Sequence, residues 1–388
     1  MVHQLQLPGE DGRAFTYTLS GPRSFPQTCP LPRSRRAFAA AHIVRKETAS
    51  AELPVLEQID WEATLAYRQY LWSLGLSIAE AMDTAQRGMG LDWAAARELI
   101  RSSTAVARAT GMQERVACGA GTDQLSLSAP VTLDEVIAAY EEQCAFIEGE
   151  GARIILMASR VLAACATSPE DYARVYDRIL GQVRFPVILH WLGEMFDPAL
   201  TGYWGKNNLD EAMEVCLDLI RRHAAKIDGI KLSLLSAERE IALRRRLPAG
   251  VVMYTGDDFH YPQLIRGDDQ GYSHALLGIF DAIAPAAAAA LQALDRGDLQ
   301  QYEAIFAPTV PLSRHIFQAP TYHYKTGIVF LAYLNGHQSH FSMVGGLETA
   351  RTLPHLARLF LLADQAGLLL DPEQAIVRMQ RVLGTAGR

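Results

Sequence analysis

The segment "IDGIKLSLL" (227–235) places a lysine, Lys231, inside a short apolar run. A run of this length and composition is typical of a buried β-strand. Lysine is rarely buried, because removing an ammonium group from water costs free energy unless a partner is close or the proton is lost. Lys231 therefore either extends to the surface along its apolar stem or is buried for a chemical purpose.

Similar runs recur on both sides of this segment and alternate with helical patterns. In "SPEDYARVYDRIL", for example, Ser168 can cap a helix and Pro169 suits its first turn. Eight strands alternating with helices over roughly 250 residues predict a parallel (β/α)8 TIM barrel. A doubly wound open sheet is the alternative, although no G-x-G-x-x-G follows the first strand. The expected strands lie in 37–44, 75–82, 115–120, 152–158, 185–190, 227–234, 250–256 and 275–281.

The pattern divides the chain into three parts. We expect an N-terminal lead-in at 1–34, the barrel at 35–285 and a C-terminal helical region at 286–388. No Pro/Gly/Ser-rich linker precedes the last part, so we expect it to pack on the barrel rather than form a free domain.

Composition narrows the class of protein. The 388 residues carry a net charge of -7, which argues against nucleic acid as a partner. Five scattered cysteines without a C-x-x-C pair suggest reduced thiols and a cytoplasmic location. No apolar segment is long enough to span a bilayer, so we expect no membrane partner.

A barrel gives Lys231 a specific environment. If Gly229, Lys231 and Ser233 share the inward face, the glycine leaves room beside the lysine. A desolvated amine has a lowered pKa, and the neutral form can attack a carbonyl to form a Schiff base. With the opposite parity, the lysine would instead extend between helices to a surface carboxylate.

Four segments, read in order, resemble a known family. They are "FPVILHW" (185–191), "DGIKLSLL" (228–235), "GVVMYTGDD" (250–258) and "GYSHALLGIFDAIAP" (271–285). Over roughly residues 36 to 320 the chain resembles a divergent member of the dihydrodipicolinate synthase and N-acetylneuraminate lyase superfamily of Schiff-base aldolases. The resemblance implies that Lys231 forms the imine and that Gly256, Asp257 and Asp258 match the family's Gly-x-Asp. It also implies that Asp281 stands for the family's asparagine and that the protein is a homo-oligomer, a dimer or a tetramer.

Two segments depart from the family pattern. His190 and Trp191 stand where the family has Tyr-Asn, so His190 either carries the proton or is a core histidine. "AMDTAQRGMG" (81–90) replaces the family's Gly-Thr-Thr-Gly-Glu loop, which holds the carboxylate of a 2-oxo acid. Thr84 matches one threonine, but Asp83 brings a negative charge that would repel a carboxylate. A neutral carbonyl compound such as a keto-sugar is therefore favoured.

Other polar residues follow the expected strand ends. In "GAGTDQ" (119–124), Gly119 and Gly121 allow a tight turn, and Thr122 and Asp123 could bind a polyhydroxylated substrate. Arg160 could bind an anionic group or pair with a neighbouring carboxylate. Asp257 and Asp258 could orient substrate hydroxyls, although paired aspartates are also common in turns.

Metal-assisted chemistry is a competing class. His337 and His340 of "HQSH" are three apart on an expected helix. No set of residues completes a recognised metal motif, and we predict no metal and no cofactor. A ligand-binding barrel without catalysis is a third class. The side chains near strand ends that could coordinate a metal ion are those of His42, Asp83, His190, Glu194, Asp258 and His260.

The sequence thus predicts a class I, lysine-dependent aldolase or lyase acting on a small carbonyl compound, either a keto-sugar or a sugar-derived 2-oxo acid. Lys231 and His190 are the predicted catalytic residues. The predicted substrate-binding residues are Asp83, Thr84, Gly121, Thr122, Arg160, Gly256, Asp257 and Asp258. A dehydratase or hydratase using the same imine is the nearest alternative, because it shares the enamine intermediate.

Overall fold

The computed structural model describes residues 4–9, 11 and 13–385. The chain begins with an antiparallel hairpin of β1 (Gln4–Pro8) and β2 (Ala14–Thr18), in which Gln4 pairs with Thr18. The side chains of Leu5 and Leu7 are buried, while their neighbours along β1 are exposed or half-buried. Sequence analysis treated this segment as a lead-in and missed the hairpin.

Eight parallel strands form a closed barrel in which β10 also pairs with the first barrel strand. Each strand falls within or beside one of the predicted runs, which confirms the (β/α)8 barrel. The strands are β3 (Ala37–Ala40), β4 (Ser77–Glu80), β5 (Val116–Ala120), β6 (Arg153–Met157), β7 (Val187–Leu192), β8 (Ile227–Ser233), β9 (Val252–Thr255) and β10 (His274–Leu277).

Helices occupy most of the remaining described chain, and side-chain caps define where several begin. Thr132 and Glu135 form a capping box at one of them, in which each side chain accepts the other's backbone N–H. The α-helices are α1 (Val55–Gln58), α2 (Trp61–Ser73), α3 (Trp93–Ala109), α4 (Leu133–Gly149), α5 (Arg160–Cys165), α6 (Pro169–Gln182), α7 (Leu209–Arg222), α8 (Ala237–Arg244), α9 (Tyr261–Arg266), α10 (Ile279–Ala282), α11 (Ala284–Asp295), α12 (Leu299–Phe306), α13 (Thr309–Ile316), α14 (Tyr324–Leu334), α15 (Leu353–Gln365) and α16 (Pro372–Thr385).

The chain divides into two compact units. One comprises residues 35–41 and 77–277 and contains the whole barrel. The other comprises residues 1–34, 42–76 and 278–388, so the C-terminal helical region shares a unit with two earlier segments. The domain boundaries expected from sequence stay a prediction.

The barrel interior fixes the direction of the side chains on each strand. Ile188 and Tyr254 belong to the interior cluster of buried residues. A Cβ added at Gly229 would lie 2.7 Å from the ring of Tyr254, so Gly229 faces the interior and its space is filled by that ring. Since side chains alternate along a strand, Lys231 and Ser233 face the same way. This is the parity that Lys231 needs for a chemical role.

In the second unit, Asp281 holds a buried histidine. Its carboxylate accepts the backbone N–H of His42 at 2.7 Å and lies 2.8 Å from the His42 Nδ1. The Asp281 carbonyl oxygen accepts a hydrogen bond from the Tyr67 hydroxyl at 2.7 Å. All three residues are buried, and the two contacts from His42 to the Asp281 carboxylate explain why a carboxylate is tolerated there.

None of the helices in the described part of the chain has the length and the hydropathy needed to cross a membrane.

Candidate active site

Lys231 lies in the middle of β8 with only 7% of its surface exposed. Burial lowers the pKa of its ammonium group below the ordinary 10.5, and the negative charges of Asp83 and Asp258 oppose this shift only in part. The lysine is thus an amine whose neutral form is more accessible than in water.

His190 is the neighbour of Lys231 on the adjacent strand, since the two residues are register partners of β7 and β8. Its Nε2 lies 3.3 Å from the Ser233 hydroxyl, and its Nδ1 is buried with no hydrogen-bond partner among the described residues. Burial first, and then the charge of Lys231, lower the pKa of His190 well below 6.5. His190 is therefore a neutral imidazole that can accept a proton beside the amine.

Charges of both signs surround this pair. Asp83 follows β4 and Arg160 begins α5, and their Oδ1 and Nη2 atoms are 3.6 Å apart. Arg160 also forms an ion pair with Asp197 through its Nε. Arg160 is thus paired with carboxylates, the alternative considered for it above. The negative charge of Asp83 raises the pKa of both Lys231 and His190, against the effect of burial.

Gly256 provides the space for the lysine stem. A Cβ at this position would lie 2.9 Å from the Lys231 Cε and 2.2 Å from the Ser233 Oγ. Sequence analysis assigned this role to Gly229, but the ring of Tyr254 fills the space there. The glycine after β9, rather than the glycine within β8, makes room for the lysine.

The two aspartates after β9 have different surroundings. The Asp257 carboxylate accepts the backbone N–H groups of Phe259 and His260 at 2.8 and 3.0 Å and contacts the His260 Nδ1 at 2.9 Å. Asp258 is buried, and its charge acts on Lys231. Asp257 therefore organises the loop, while the negative charge of Asp258 raises the pKa of Lys231.

A cavity of about 190 Å³ lies at the carboxyl ends of β5 and β6, and Gly121, Thr122 and Arg160 line it. The Thr122 Oγ1 and the Ser159 Oγ are 2.6 Å apart, and the Ser159 Oγ accepts the backbone N–H of Leu162. Whichever hydroxyl donates within this pair, the other keeps a hydrogen to donate. The cavity can therefore donate a hydrogen bond to a substrate oxygen.

Thr84 is almost fully buried at the end of β4, in the short turn that begins at Asp83. The structure thus brings the predicted site residues to the carboxyl ends of β4 to β9. Asp257 and Thr84 are buried in their loops, whereas Gly121, Thr122 and Arg160 border the cavity.

Arg87 and Asp123 line this cavity and form a polar network with Gln143, of which sequence analysis named only Asp123. The Asp123 carboxylate accepts the Arg87 Nε–H at 2.8 Å and the Gln143 side-chain amide at 3.0 Å. The Gln143 Oε1 accepts the Gly121 N–H at 2.6 Å, which fixes the loop after β5. Although burial acts to raise the pKa of Asp123, the Arg87 charge lowers it below its ordinary value. The sequence signals available for this network were Arg87 in the 81–90 segment and Asp123 in the 119–124 segment.

Backbone conformation is unusual at two strand ends beside the site. Ala81 and Leu235 have φ values of +52° and +51°, in the left-handed region that residues with a Cβ rarely adopt. Each such residue costs of order 1–3 kcal/mol, and such residues cluster at functional sites. Ala81 directly follows β4, before the Asp83 turn, and Leu235 is the second residue after β8.

The candidate metal ligands have other contacts. Among the described residues, no three or more His, Cys, Asp or Glu side chains form a group that could hold a metal ion. His42 contacts Asp281, and His260 contacts Asp257. His337 and His340 lie in the turn after α14 rather than on a helix, so the expected helical spacing does not apply.

Comparison with known protein sequences finds a family that matches most of the chain. A family described as "Protein of unknown function (DUF993)" matches residues 5–388. No curated protein sequence matches the chain.

Solved structures of dihydrodipicolinate synthases have the same fold. The enzyme from Oceanobacillus iheyensis is 15% identical with a TM-score of 0.60, and the match covers 80% of this chain and 90% of that one. The enzyme from Aquifex aeolicus is 14% identical with a TM-score of 0.63, covering 87% and 99%. A prophage protein of the same family from E. coli K12, in complex with pyruvate, is 16% identical with a TM-score of 0.65, covering 86% and 99%. The predicted resemblance to this superfamily is confirmed at the level of fold.

Proposed function

The chain belongs to the DUF993 family, and we propose that it is a class I lyase or aldolase that forms a Schiff base between Lys231 and a small carbonyl compound. The observation that carries this proposal is the buried Lys231 amine on β8, beside a neutral His190. A buried lysine in an apolar barrel strand lowers the stability of the fold, and a role in imine formation would explain why a lysine stands there.

The proposed reaction begins when the neutral Lys231 amine attacks the carbonyl carbon. His190 takes a proton from the nitrogen and returns it to the oxygen, which gives the neutral carbinolamine. A second proton, drawn from solvent, lets the hydroxyl group leave as water and leaves an iminium ion. The negative charges of Asp83 and Asp258 stabilise that cation. The iminium withdraws electrons from the neighbouring bond, which is the step shared by C–C cleavage and by dehydration.

The charges around the amine favour a substrate without a carboxylate next to its carbonyl. Two like charges 4 Å apart near a protein surface repel by about 4 kcal/mol. Asp83 and Asp258 would repel such a carboxylate, and Arg160 is already paired with Asp197 and Asp83. Hydroxyl groups, in contrast, suit the Thr122 and Ser159 pair in the cavity. We therefore propose a small keto-sugar as the substrate.

The proposal is tested by trapping the imine. The protein is incubated separately with dihydroxyacetone, hydroxyacetone, fructose and pyruvate, borohydride is added, and intact mass is measured. We expect a covalent adduct in wild type with a hydroxy-ketone and less adduct with pyruvate. Pyruvate belongs in the panel because the E. coli K12 structure contains it.

Two variants give the comparison. Lys231→Ala should form no adduct, whereas Lys206→Ala, at a half-exposed lysine paired with Glu211, should react like wild type. Peptide mapping should find the added mass on the 227–235 segment. Absence of any adduct in wild type, or an adduct that survives the Lys231→Ala change, would refute the lysine mechanism.

We also propose, from the family resemblance, that the protein is a homo-oligomer and, from its scattered cysteines, that it acts in the cytoplasm. The proposed keto-sugar substrate would assign it to carbohydrate metabolism. Light scattering coupled to size-exclusion chromatography tests the first statement. A mass equal to that of the single chain would contradict it.

A further inference from the structure

We propose that His260, oriented by Asp257, is a second acid–base residue of this site and transfers the proton at the carbon next to the iminium. This inference rests on the proposed Schiff-base function. In the proposed mechanism His190 transfers protons during imine formation, and no residue is assigned to the proton on the neighbouring carbon. This inference assigns that second transfer to His260.

The first support is the contact between the two side chains. The Asp257 carboxylate is 1% exposed and lies 2.9 Å from the His260 Nδ1. It also accepts the His260 backbone N–H at 3.0 Å, so that ring and backbone are held by one group. A carboxylate on Nδ1 fixes that nitrogen as the donor and leaves the Nε2 lone pair as the base.

The second support is the difference in exposure between the two histidines. The His260 side chain is 31% exposed, whereas His190 is 2% exposed. A proton removed from a substrate must reach solvent, and a residue with one edge fixed in the protein and one edge accessible can carry it there. His190 has no such exposed edge.

The third support is position. His260 follows Asp258 by two residues in the loop after β9, and the charge of Asp258 acts on Lys231. The strand β9 is the neighbour of β8 on the side opposite to β7. The loop that carries His260 therefore starts from the strand next to Lys231, on the side opposite to His190.

The proposed step is balanced in protons and electrons. The neutral His260 Nε2 takes the proton from the carbon next to the iminium carbon. The electron pair of that C–H bond becomes the C=C bond of the enamine, and the iminium nitrogen becomes neutral. The histidinium returns a proton to the same carbon or exchanges it with solvent.

The experiment follows hydrogen exchange at that carbon. Wild type and His260→Ala are incubated in D2O with whichever panel compound gives the larger borohydride adduct, and the loss of the proton signal is followed by NMR. General acid–base groups contribute typically 10²–10⁴-fold. We expect exchange by His260→Ala to be about 100-fold slower, with the borohydride adduct unchanged, and to recover when imidazole is added.

The matched control is another histidine–aspartate pair in the barrel unit. The His223 Nε2 lies 2.7 Å from the Asp177 Oδ1, and His223 precedes β8, at the opposite end of the barrel from the site. His223→Ala should exchange at the wild-type rate and should not respond to imidazole. Rescue confined to His260→Ala separates chemistry from a structural effect of the loop.

The outcomes separate the two proposals. An adduct with an unchanged exchange rate in His260→Ala would overturn the role of His260 and leave the Schiff base standing. Slow exchange that imidazole does not restore would also overturn it, since a positioning effect would explain the loss. If wild type forms no adduct at all, the proposed function fails and this inference fails with it.

Discussion

Replacement of Glu240 by glutamine should raise the free energy of unfolding, compared with wild type, by more at neutral pH than at acidic pH. Glu240 lies on α8 and is almost fully buried. Its Oε1 accepts a hydrogen bond from the Ser273 hydroxyl at 2.7 Å, while its Oε2 has no partner among the described residues. Burial raises the pKa of Glu240 from 4.5 to about 8, although the bond from Ser273 opposes the shift.

The sign of the effect follows from proton linkage. Between pH 4.5 and pH 8 the unfolded chain releases the proton of this carboxyl, whereas the folded protein keeps it. Stability is therefore full below pH 4.5 and falls as the pH rises towards 8. One pH unit in this interval corresponds to about 1.4 kcal/mol, so the loss reaches about 3 kcal/mol at pH 7. Glutamine cannot ionise and avoids this loss.

The assay is urea denaturation of wild type and Glu240→Gln at several pH values from 4.5 to 8.5. Glu238→Gln is the matched control, because Glu238 is an exposed glutamate on the same helix. We expect the difference in unfolding free energy between wild type and Glu240→Gln to change by about 3 kcal/mol from pH 4.5 to pH 7. A difference that stays constant over this range would refute the reasoning that Glu240 is neutral in the folded protein.

Three further changes test the site and the core. Gly256→Ala should reduce the borohydride adduct at least tenfold, because the new Cβ would lie 2.9 Å from the Lys231 Cε, whereas Gly181→Ala, with open space around it, should react normally. Asp83→Asn removes a charge that raises the pKa of Lys231, so the adduct should form at lower pH than in wild type, as adduct rates measured against pH would show. Asp281→Ala should destabilise the protein by about 3 kcal/mol in urea titrations, because the buried backbone N–H and ring Nδ1 of His42 both lose their hydrogen-bond partner; a change below 1 kcal/mol would contradict this.

Regular alternation made the barrel predictable from sequence. The eight strands are short apolar runs separated by amphipathic helices, and both patterns depend on neighbouring residues only. The hairpin of β1 and β2 escaped prediction because most of its residues are polar or exposed. Its sequence signal, the alternation at Leu5 and Leu7, covers too few residues to stand out.

The direction of a side chain could be predicted from sequence only for residues that lie on a strand, where side chains alternate between the two faces. Lys231 and His190 are examples, because the period of two fixes the face on which each side chain lies. Loop contacts follow no such rule. The ion pair of Arg160 with Asp197 joins residues 37 positions apart, and only the three-dimensional path of both loops brings them together. Likewise, sequence gave no reason to choose Gly256 over Gly229 as the residue that accommodates the lysine.

The environment of Lys231 affects two states of the same nitrogen, the free amine and the proposed iminium. The amine must be neutral to attack a carbonyl, and the imine that it forms must be cationic to withdraw electrons. Burial alone would favour the first state and penalise the second, since it disfavours any charge. Carboxylates alone would stabilise the ammonium and keep the amine from reacting. Burial lowers the pKa of the lysine more than the charges of Asp83 and Asp258 raise it, so the two carboxylates still act on the nitrogen that would carry the proposed iminium charge. In the proposed mechanism, the same carboxylates that would stabilise the iminium would therefore also select against a substrate that brings its own negative charge to the imine.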